Sequence, residues 1–278
     1  MKPSRAAMKS IGIVWGQYGP YHFARAEALQ RLASPMEVHA IELAGQSRLY
    51  GWSRGATPNS VRTLCPGRAV EEISFTEAFK GARAEFARLK LDVCLLPSYS
   101  PRQYAATLLA AKSLGIRTVM MNESHAGTAR AAGLAKWVKR RLVGMFDAAL
   151  VGGGPQRRYL ASLGLPPERV FLGYDAVDNE RFAAAARHAR LHAAELRRQH
   201  ELPDRYFLSL GRFVEKKNLE CLVRAYRGLL DSEPLAATAL VFVGSGELAV
   251  PLQELSLSLG LPVHLHTPGR AATVRGGG

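Results

Sequence analysis

The alternation of strand-like and helix-like segments is the feature that most constrains the fold of this chain. Short, mainly apolar runs occupy residues 11–15, 91–96 and 148–151, and each is followed by glycine or proline. Between such runs, apolar residues recur at helical spacing, as in 75–89. Strands that are apolar throughout are typical of a parallel sheet covered on both faces. The order therefore predicts a doubly wound α/β sheet, and ligands of such sheets bind beyond the carboxyl ends of the strands.

The alternation stops once and starts again, which predicts two Rossmann-like domains. Residues 173–182, GYDAVDNERF, are polar and aperiodic, and an Ala- and Arg-rich helical stretch follows them. We therefore assign 1–172 to the first domain, 173–200 to the linker and a connecting helix, and 201–266 to the second domain.

The end of the chain does not continue the pattern. Residues 267–278 contain Gly, Ala and Arg without an apolar period, so we expect an irregular tail that joins no sheet. The second domain then has about two complete βα units, whereas open sheets commonly have about 4–6 strands. The pattern predicts a second domain that is incomplete.

Charge is the abnormal feature of the composition. The 278 residues include 37 Lys and Arg against 23 Asp and Glu, a formal net charge of +14. Such a surplus favours an anionic partner (nucleic acid, acidic lipid or a phosphate-bearing substrate), although a compositional bias is the alternative, since the cations are spread along the chain. With 47% hydrophobic residues, disorder is excluded.

Location and metal content are also constrained. No run of about 18 apolar residues could span a membrane, and the first residues do not form a secretion signal. Three cysteines without paired spacing predict a cytoplasmic protein and supply no metal framework.

The strongest motif is FLSLGRFVEKKNLECLVRAY. A predicted strand ends at Gly211, Arg212 follows at once, and Lys217 lies just before a helix that starts near Asn218. A guanidinium, an ammonium and a helix N-terminus all attract phosphate oxygens. A solvated basic loop is the alternative interpretation.

Three segments together resemble the glycosyltransferases of family 4, which have the GT-B fold. GRFVEKKNLECLVRAY is similar to their diphosphate-binding loop, and LVFVGSGEL, with Gly244 and Gly246, to their next strand and glycine turn. GYDAVDNERF resembles their interdomain linker, of which Val177, Asp178 and Phe182 remain. The three segments occur in the family's order and cover roughly 171–250.

The resemblance implies a retaining transfer of a sugar from a nucleotide-sugar donor to a saccharide or lipid-linked acceptor, as in polysaccharide biosynthesis. Gly211, Arg212 and Lys217 would then bind the donor diphosphate together with Gly244 and Gly246. Neither a metal nor a cofactor is implied, and no nucleic-acid partner is expected. The family's pair of donor-binding glutamates does not follow His266, which predicts a truncated and weakly active copy.

Two turns of the first domain carry the remaining candidates. Gly16 and Gly19 follow the first strand and are assigned to donor binding, with His22 on the acceptor side. The spacing lacks the Gly-x-Gly-x-x-Gly fingerprint, which argues against a dehydrogenase. The resemblance implies that His125 lines the sugar site, and Glu123 is a candidate acid/base partner. Tight turns and a polar loop are the structural alternatives.

An aromatic loop and a basic helix suggest further contacts. Trp52 in YGWSR is a candidate acceptor contact or, alternatively, a core residue. Residues 133–146 combine cations with apolar residues, which predicts either docking on an anionic membrane surface or a solvated basic face above the sheet. The cations are Lys136, Lys139, Arg140 and Arg141, and the apolar residues are Leu134, Trp137, Val138 and Leu142.

Two other functions stay open. The first is a basic α/β module without enzymatic activity that binds a phosphate-rich polymer or a membrane surface. The second is a sugar-nucleotide epimerase of similar two-domain shape.

Overall fold

A computed structural model describes residues 9–49, 61–128, 133–232 and 238–267, and the backbone of 270–272. The chain divides into two compact units, and the division falls between Asn179 and Glu180. Each unit is an α/β structure built on its own sheet.

The first unit contains a parallel sheet of seven strands in the order β3-β2-β1-β4-β5-β6-β7. β1 lies in the interior of this sheet, between β2 and β4. The strands are β1 (Ser10–Trp15), β2 (Glu37–Glu42), β3 (Arg62–Thr63), β4 (Val93–Leu96), β5 (Arg117–Asn122), β6 (Ala148–Val151) and β7 (Val170–Leu172).

In the described residues, five α-helices connect strands of this sheet, and each returns the chain to the same end of the sheet, as parallel strands require. They are α1 (Pro20–Ala33), α2 (Phe75–Arg88), α3 (Arg102–Ser113), α4 (Gly133–Gly144) and α5 (Gly154–Ser162). Local chemistry fixes the start of α2, because the Ser74 side chain accepts a hydrogen bond from the Glu77 N–H and the Glu77 carboxylate accepts one from the Ser74 N–H.

Alternation along the strands separates two of the apolar cores of this unit. Val14, Leu96 and Met120 belong to a large core with buried residues of α2, α3, α4 and α5. Trp15 and Met121, their chain neighbours, point to the other face and belong to a smaller core with α1.

The second unit contains three parallel strands and one antiparallel strand in the order β11-β10-β9-β8. Phe213, Val223 and Phe242 are buried in its core. The elements are α6 (Asn179–Leu191), α7 (Ala193–Gln199), β8 (Arg205–Leu210), α8 (Leu219–Ser232), β9 (Thr238–Val243), α9 (Ala249–Ser258), β10 (Val263–Thr267) and β11 (Arg270–Ala272).

The structure differs from the sequence-based expectation at three places. β11 pairs with β10 inside the predicted irregular tail, because ladder hydrogen bonds come from the backbone and need no apolar period. The helical stretch predicted before residue 200 consists of two helices that meet at His192. Tyr174 is buried in the smaller core of the first unit, although the sequence places it in the linker.

In the part of the chain that the structure describes, no helix combines the length and the apolarity needed to cross a bilayer.

Candidate functional site

The turn between β8 and α8 is joined to the turn that follows β9. The Gly211 N–H donates to the Val243 carbonyl at 3.0 Å, and the Phe213 N–H donates to the Ser245 carbonyl at 2.8 Å. The Phe213 side chain is buried, with its ring centroid 6.1 Å from that of Phe242. Backbone hydrogen bonds and a buried ring therefore fix the segment that carries Arg212.

Gly244 and Gly246 are the residues that let these two turns meet. A β-carbon at Gly244 would lie 1.8 Å from the Gly211 carbonyl oxygen, and one at Gly246 would lie 2.4 Å from the Phe213 carbonyl oxygen. Neither distance is possible for a real side chain against backbone. Both glycines therefore shape the turn that carries the predicted cations, and this packing role is one that the motif did not indicate.

Lys217 folds back toward the end of β8. Its Cε lies 4.0 Å from the point that a β-carbon on Gly211 would occupy. Lys217 ends a 3₁₀ turn, Glu215–Lys217, and Asn218 then adopts a left-handed backbone at φ 50° before α8 begins. Asparagine tolerates this conformation better than most residues. The turn thus places the exposed Lys217 beside Gly211. The half-buried Arg212 directly follows Gly211 in the chain.

Helix α8 is fixed by packing against the core of the second unit. Leu219, Val223 and Tyr226 are its buried residues, and the Tyr226 hydroxyl donates to the Thr238 carbonyl at 2.5 Å. The helix N-terminus therefore lies next to the lysine turn. Unpaired N–H groups and the positive end of the helix dipole add to the attraction for an anion.

A buried carboxylate holds the turn after β1. Glu42 is 1% exposed at the end of β2, and its Oε2 accepts the Tyr18 N–H at 3.0 Å. Its Oε1 accepts the Thr63 hydroxyl at 2.7 Å. The sequence analysis did not select Glu42, although an acidic residue at the end of an apolar strand can be recognised in a sequence. The predicted Gly16 is constrained by packing, since a β-carbon there would lie 2.5 Å from the Tyr104 hydroxyl oxygen.

His22 is held as a neutral ring. Its Nδ1 accepts the Gly19 N–H at 3.0 Å, which assigns the ring proton to Nε2. The ring stacks on Trp15, with centroids 4.1 Å apart. Burial, together with the nearby positive charge of Arg25, lowers the pKa of His22 to about 4. Gly19 and His22 together therefore form the start of α1.

Tyr174 extends this stack. Its ring centroid lies 6.2 Å from that of Trp15, and the Arg25 guanidinium lies 5.2 Å from the centre of the Tyr174 ring. Burial raises the pKa of the Tyr174 hydroxyl, and the negative charge of Glu123 raises it further. The predicted residue His22 therefore lies in a stack with two aromatic residues, Trp15 and Tyr174, that the sequence analysis did not select.

Arg25 also holds the chain beyond Tyr174. Its Nε donates to the Ala176 carbonyl at 2.9 Å, and its Nη2 donates to Asp175 Oδ1 at 3.2 Å. We name Trp15, His22, Arg25 and Tyr174 the Tyr174 cluster. Tyr174 lies about 150 positions after the other three members, so no local pattern could indicate the cluster.

The turn after β5 carries Glu123 and His125. The buried Asn122 exchanges two hydrogen bonds of 3.3 Å with the backbone of Ser124. His125 Nδ1 accepts the Gly127 N–H at 3.2 Å, so its ring proton belongs on Nε2. The Glu123 side chain is exposed, and its backbone carbonyl accepts a hydrogen bond from Gln156. Trp52 lies outside the described residues.

No group of three or more His, Cys, Asp or Glu side chains in the described ranges could hold a metal ion.

Comparison with known proteins connects this geometry to a family. Residues 193–274 match the family described as Glycosyl transferases group 1. No curated protein sequence matches the chain.

Solved structures share the fold at low identity. The UDP-GlcNAc 2-epimerase of Neisseria meningitidis bound to UDP-GlcNAc is 13% identical, with a TM-score of 0.61 over 97% of this chain and 73% of that one. HepE of Anabaena in complex with UDP and glucose is 13% identical, with a TM-score of 0.61 over 94% and 69%. The lipopolysaccharide outer core galactosyltransferase WaaB is 13% identical, with a TM-score of 0.54 over 94% and 68%.

These matches agree with the two sheets described above. The chain has the α/β fold of these structures, with two Rossmann-like units of the GT-B type, the second smaller than the first. The segment that carries Arg212 and Lys217 matches the glycosyl transferases of group 1.

Proposed function

We propose that this protein transfers a sugar from a nucleotide-sugar donor to an acceptor hydroxyl with retention of configuration. One observation carries the proposal: the turn with Lys217 folded over Gly211 lies inside the segment that matches the glycosyl transferases of group 1. The donor we propose is a uridine diphosphate sugar, because solved structures of the same fold hold UDP or UDP-GlcNAc.

Arg212 and Lys217 supply the electrostatic part of this chemistry. Negative charge grows on the diphosphate as its bond to the sugar breaks, and fixed cations lower the energy of that transition state. A guanidinium binds two phosphate oxygens side by side, whereas an ammonium acts as a point charge. Gly244 and Gly246 contribute by permitting the turn rather than by contacting the donor.

The acceptor-side roles are assigned to the first unit. We propose that His125 contacts the sugar through Nε2, since its Nδ1 is used by Gly127. Glu123 has an exposed side chain and is our candidate to bind or deprotonate the acceptor hydroxyl. His22, Gly16 and Gly19 form a buried and neutral turn, which suits a supporting role better than proton transfer. The acceptor is proposed to be a saccharide or a lipid-linked sugar.

Calorimetric titration of the full chain with UDP tests donor binding. Lys217→Gln and Arg212→Gln should each weaken UDP binding by about 10- to 100-fold, the usual effect of losing a charged hydrogen bond. Lys216→Gln is the matched control, because Lys216 is exposed in the same 3₁₀ turn. Equal affinity in all four proteins would refute the proposed diphosphate site.

Product analysis separates transfer from epimerisation, the second candidate. The similarity to the UDP-GlcNAc 2-epimerase of Neisseria meningitidis favours testing it. A transferase releases UDP faster when acceptor is added, whereas an epimerase changes the sugar without acceptor. The expectation of weak turnover is tested by the same assay. Binding of inorganic polyphosphate as tight as that of UDP would favour the non-enzymatic basic module.

A further inference from the structure

Helix α4 presents its apolar residues outward. Leu134 is 76% exposed, Trp137 54% and Val138 43%. Together with Arg141 they are spaced at i, i+3, i+4 and i+7, which places them along one side of the helix. A helix on a protein surface normally turns such a stripe toward the core, so α4 has the reverse orientation. We name Leu134, Trp137, Val138 and Arg141 the outward stripe.

Contacts on the opposite side of α4 fix this orientation. Lys139 Nζ donates to the Tyr159 hydroxyl at 2.6 Å and lies 5.8 Å from the centre of the Tyr99 ring. Val143 is fully buried in the large core of the first unit. A buried valine and a bonded lysine therefore attach one side of α4 to the protein, and the outward stripe cannot turn inward without breaking both.

The charged side chains of α4 are all positive. Lys136, Arg140 and Arg141 are exposed, and α4 contains no acidic residue. The Arg141 guanidinium lies 5.0 Å from the centre of the Trp137 ring, so one cation lies against the apolar surface itself. Exposed leucine and tryptophan beside lysine and arginine match a layer that is anionic outside and apolar beneath. A nucleic acid would account for the cations but not for the leucine and valine.

We propose that the outward stripe of α4 binds the surface of an anionic lipid bilayer. Trp137, Leu134 and Val138 enter the boundary between headgroups and acyl chains, and Lys136, Arg140 and Arg141 contact lipid phosphates. This interaction is independent of the proposed donor site, since no residue of the β8–α8 turn takes part.

Vesicle sedimentation with the full chain is the test. Protein should bind vesicles of phosphatidylcholine mixed with phosphatidylglycerol, and bind vesicles of phosphatidylcholine alone much more weakly. The double variant Lys136→Gln/Arg140→Gln should reduce partitioning by roughly 20-fold, about fivefold for each cation. The control Lys80→Gln/Arg83→Gln removes the same charge from exposed positions of α2 and should change it less than about twofold.

Two further variants test the apolar part. Leu134→Ser/Val138→Ser should lower partitioning at least about tenfold. Trp137→Phe should still bind but lose the blue shift of tryptophan fluorescence that vesicles cause in the parent protein. UDP titration of the same variants should be unchanged, which separates this proposal from the proposed function.

Three outcomes would overturn the proposal. The first is equal binding to neutral and anionic vesicles, or none. The second is an effect of the α2 control as large as that of the α4 variant. The third is a concentration-dependent dimer that Leu134→Ser/Val138→Ser abolishes, which would assign the outward stripe to a second copy of the chain.

Discussion

The first strand of each unit has the same kind of sequence but a different environment. β1 has strands on both sides, and all six of its residues are buried. β8 has β9 on one side only, and among the described strands none pairs with its other edge. Leu208 is 57% exposed and Leu210 is 75% exposed. An apolar run therefore predicts that a strand forms, whereas the burial of its side chains depends on what covers the two faces of the sheet at that strand.

The turns that follow these strands differ in the same way. The turn after β1 is held from inside by the buried carboxylate of Glu42 and the ring of Tyr104. The turn after β8 is held by the backbone of the β9 turn and by the buried Phe213 ring, and its lysines stay exposed. The contact between these two turns can be tested by substitution, and the experiments below begin there.

The largest effect is expected for Gly244→Ala. The new methyl group would collide with the Gly211 carbonyl, so unfolding of the second unit should need about 3 kcal/mol less free energy. Urea denaturation followed by circular dichroism measures the loss. Gly228→Ala is the control, because nothing lies near a β-carbon there and alanine favours a helix by about 1 kcal/mol. Equal midpoints for Gly244→Ala and the parent would show that the two turns do not meet as described.

The next effect is a pH dependence in the turn after β1. The folded pKa of His22 is about 4, below its ordinary value of 6.5, so protonation favours the unfolded chain. The stabilisation is complete above pH 6.5 and should fall by roughly 2–3 kcal/mol as the pH drops toward 4.

Urea unfolding at several pH values, compared between the parent and His22→Gln, isolates this contribution from other titrating groups. Parallel pH profiles of the two proteins would contradict the burial of His22.

Matched truncations test the two strands directly. Val14→Ala in β1 should lower the free energy of unfolding by about 2 kcal/mol, because it leaves a cavity in the large core. Leu208→Ala in β8 should change it by less than about 0.5 kcal/mol, as expected for an exposed position. A similar loss from both substitutions would mean that the face of β8 that carries Leu208 is covered in solution.

The smallest effect concerns the Tyr174 cluster. Arg25→Ala removes one ion pair, one hydrogen bond to a carbonyl and the contact with the Tyr174 ring, together worth about 1 kcal/mol. Arg31→Ala is the control at an exposed position of the same helix. Thermal unfolding of both variants measures the difference in stability. An equal change in the two would show that Arg25 has no specific stabilising role.

The sequence predicts which segments form strands and helices better than it predicts which of these elements lie next to each other. Apolar runs identify β1, β4 and β6, and the cations at Gly211 indicate the turn that we propose binds diphosphate, because both signals are local. β3, with two residues, is too short to show a period. The outward stripe of α4 has the spacing of a buried face, so exposure could not be read from it.

The candidate site shows the same limit. Gly244 was selected for its motif, yet its close approach to Gly211 depends on a turn some 30 positions earlier in the chain. The rings of Tyr174 and Trp15 stack on each other, although most of the sequence of the first unit lies between them. Contacts between residues so far apart in sequence follow from the three-dimensional packing, and one sequence alone contains no periodic trace of them.

The bond from Arg25 to the Ala176 carbonyl has a consequence for how the chain passes from one unit to the next. With Ala176 fastened to α1 and α6 helical from Asn179, only Val177 and Asp178 lie between. Each residue contributes two soft backbone dihedrals. The connection from the last residue held by α1 to the first residue of α6 is therefore two residues long, with four soft backbone dihedrals in all.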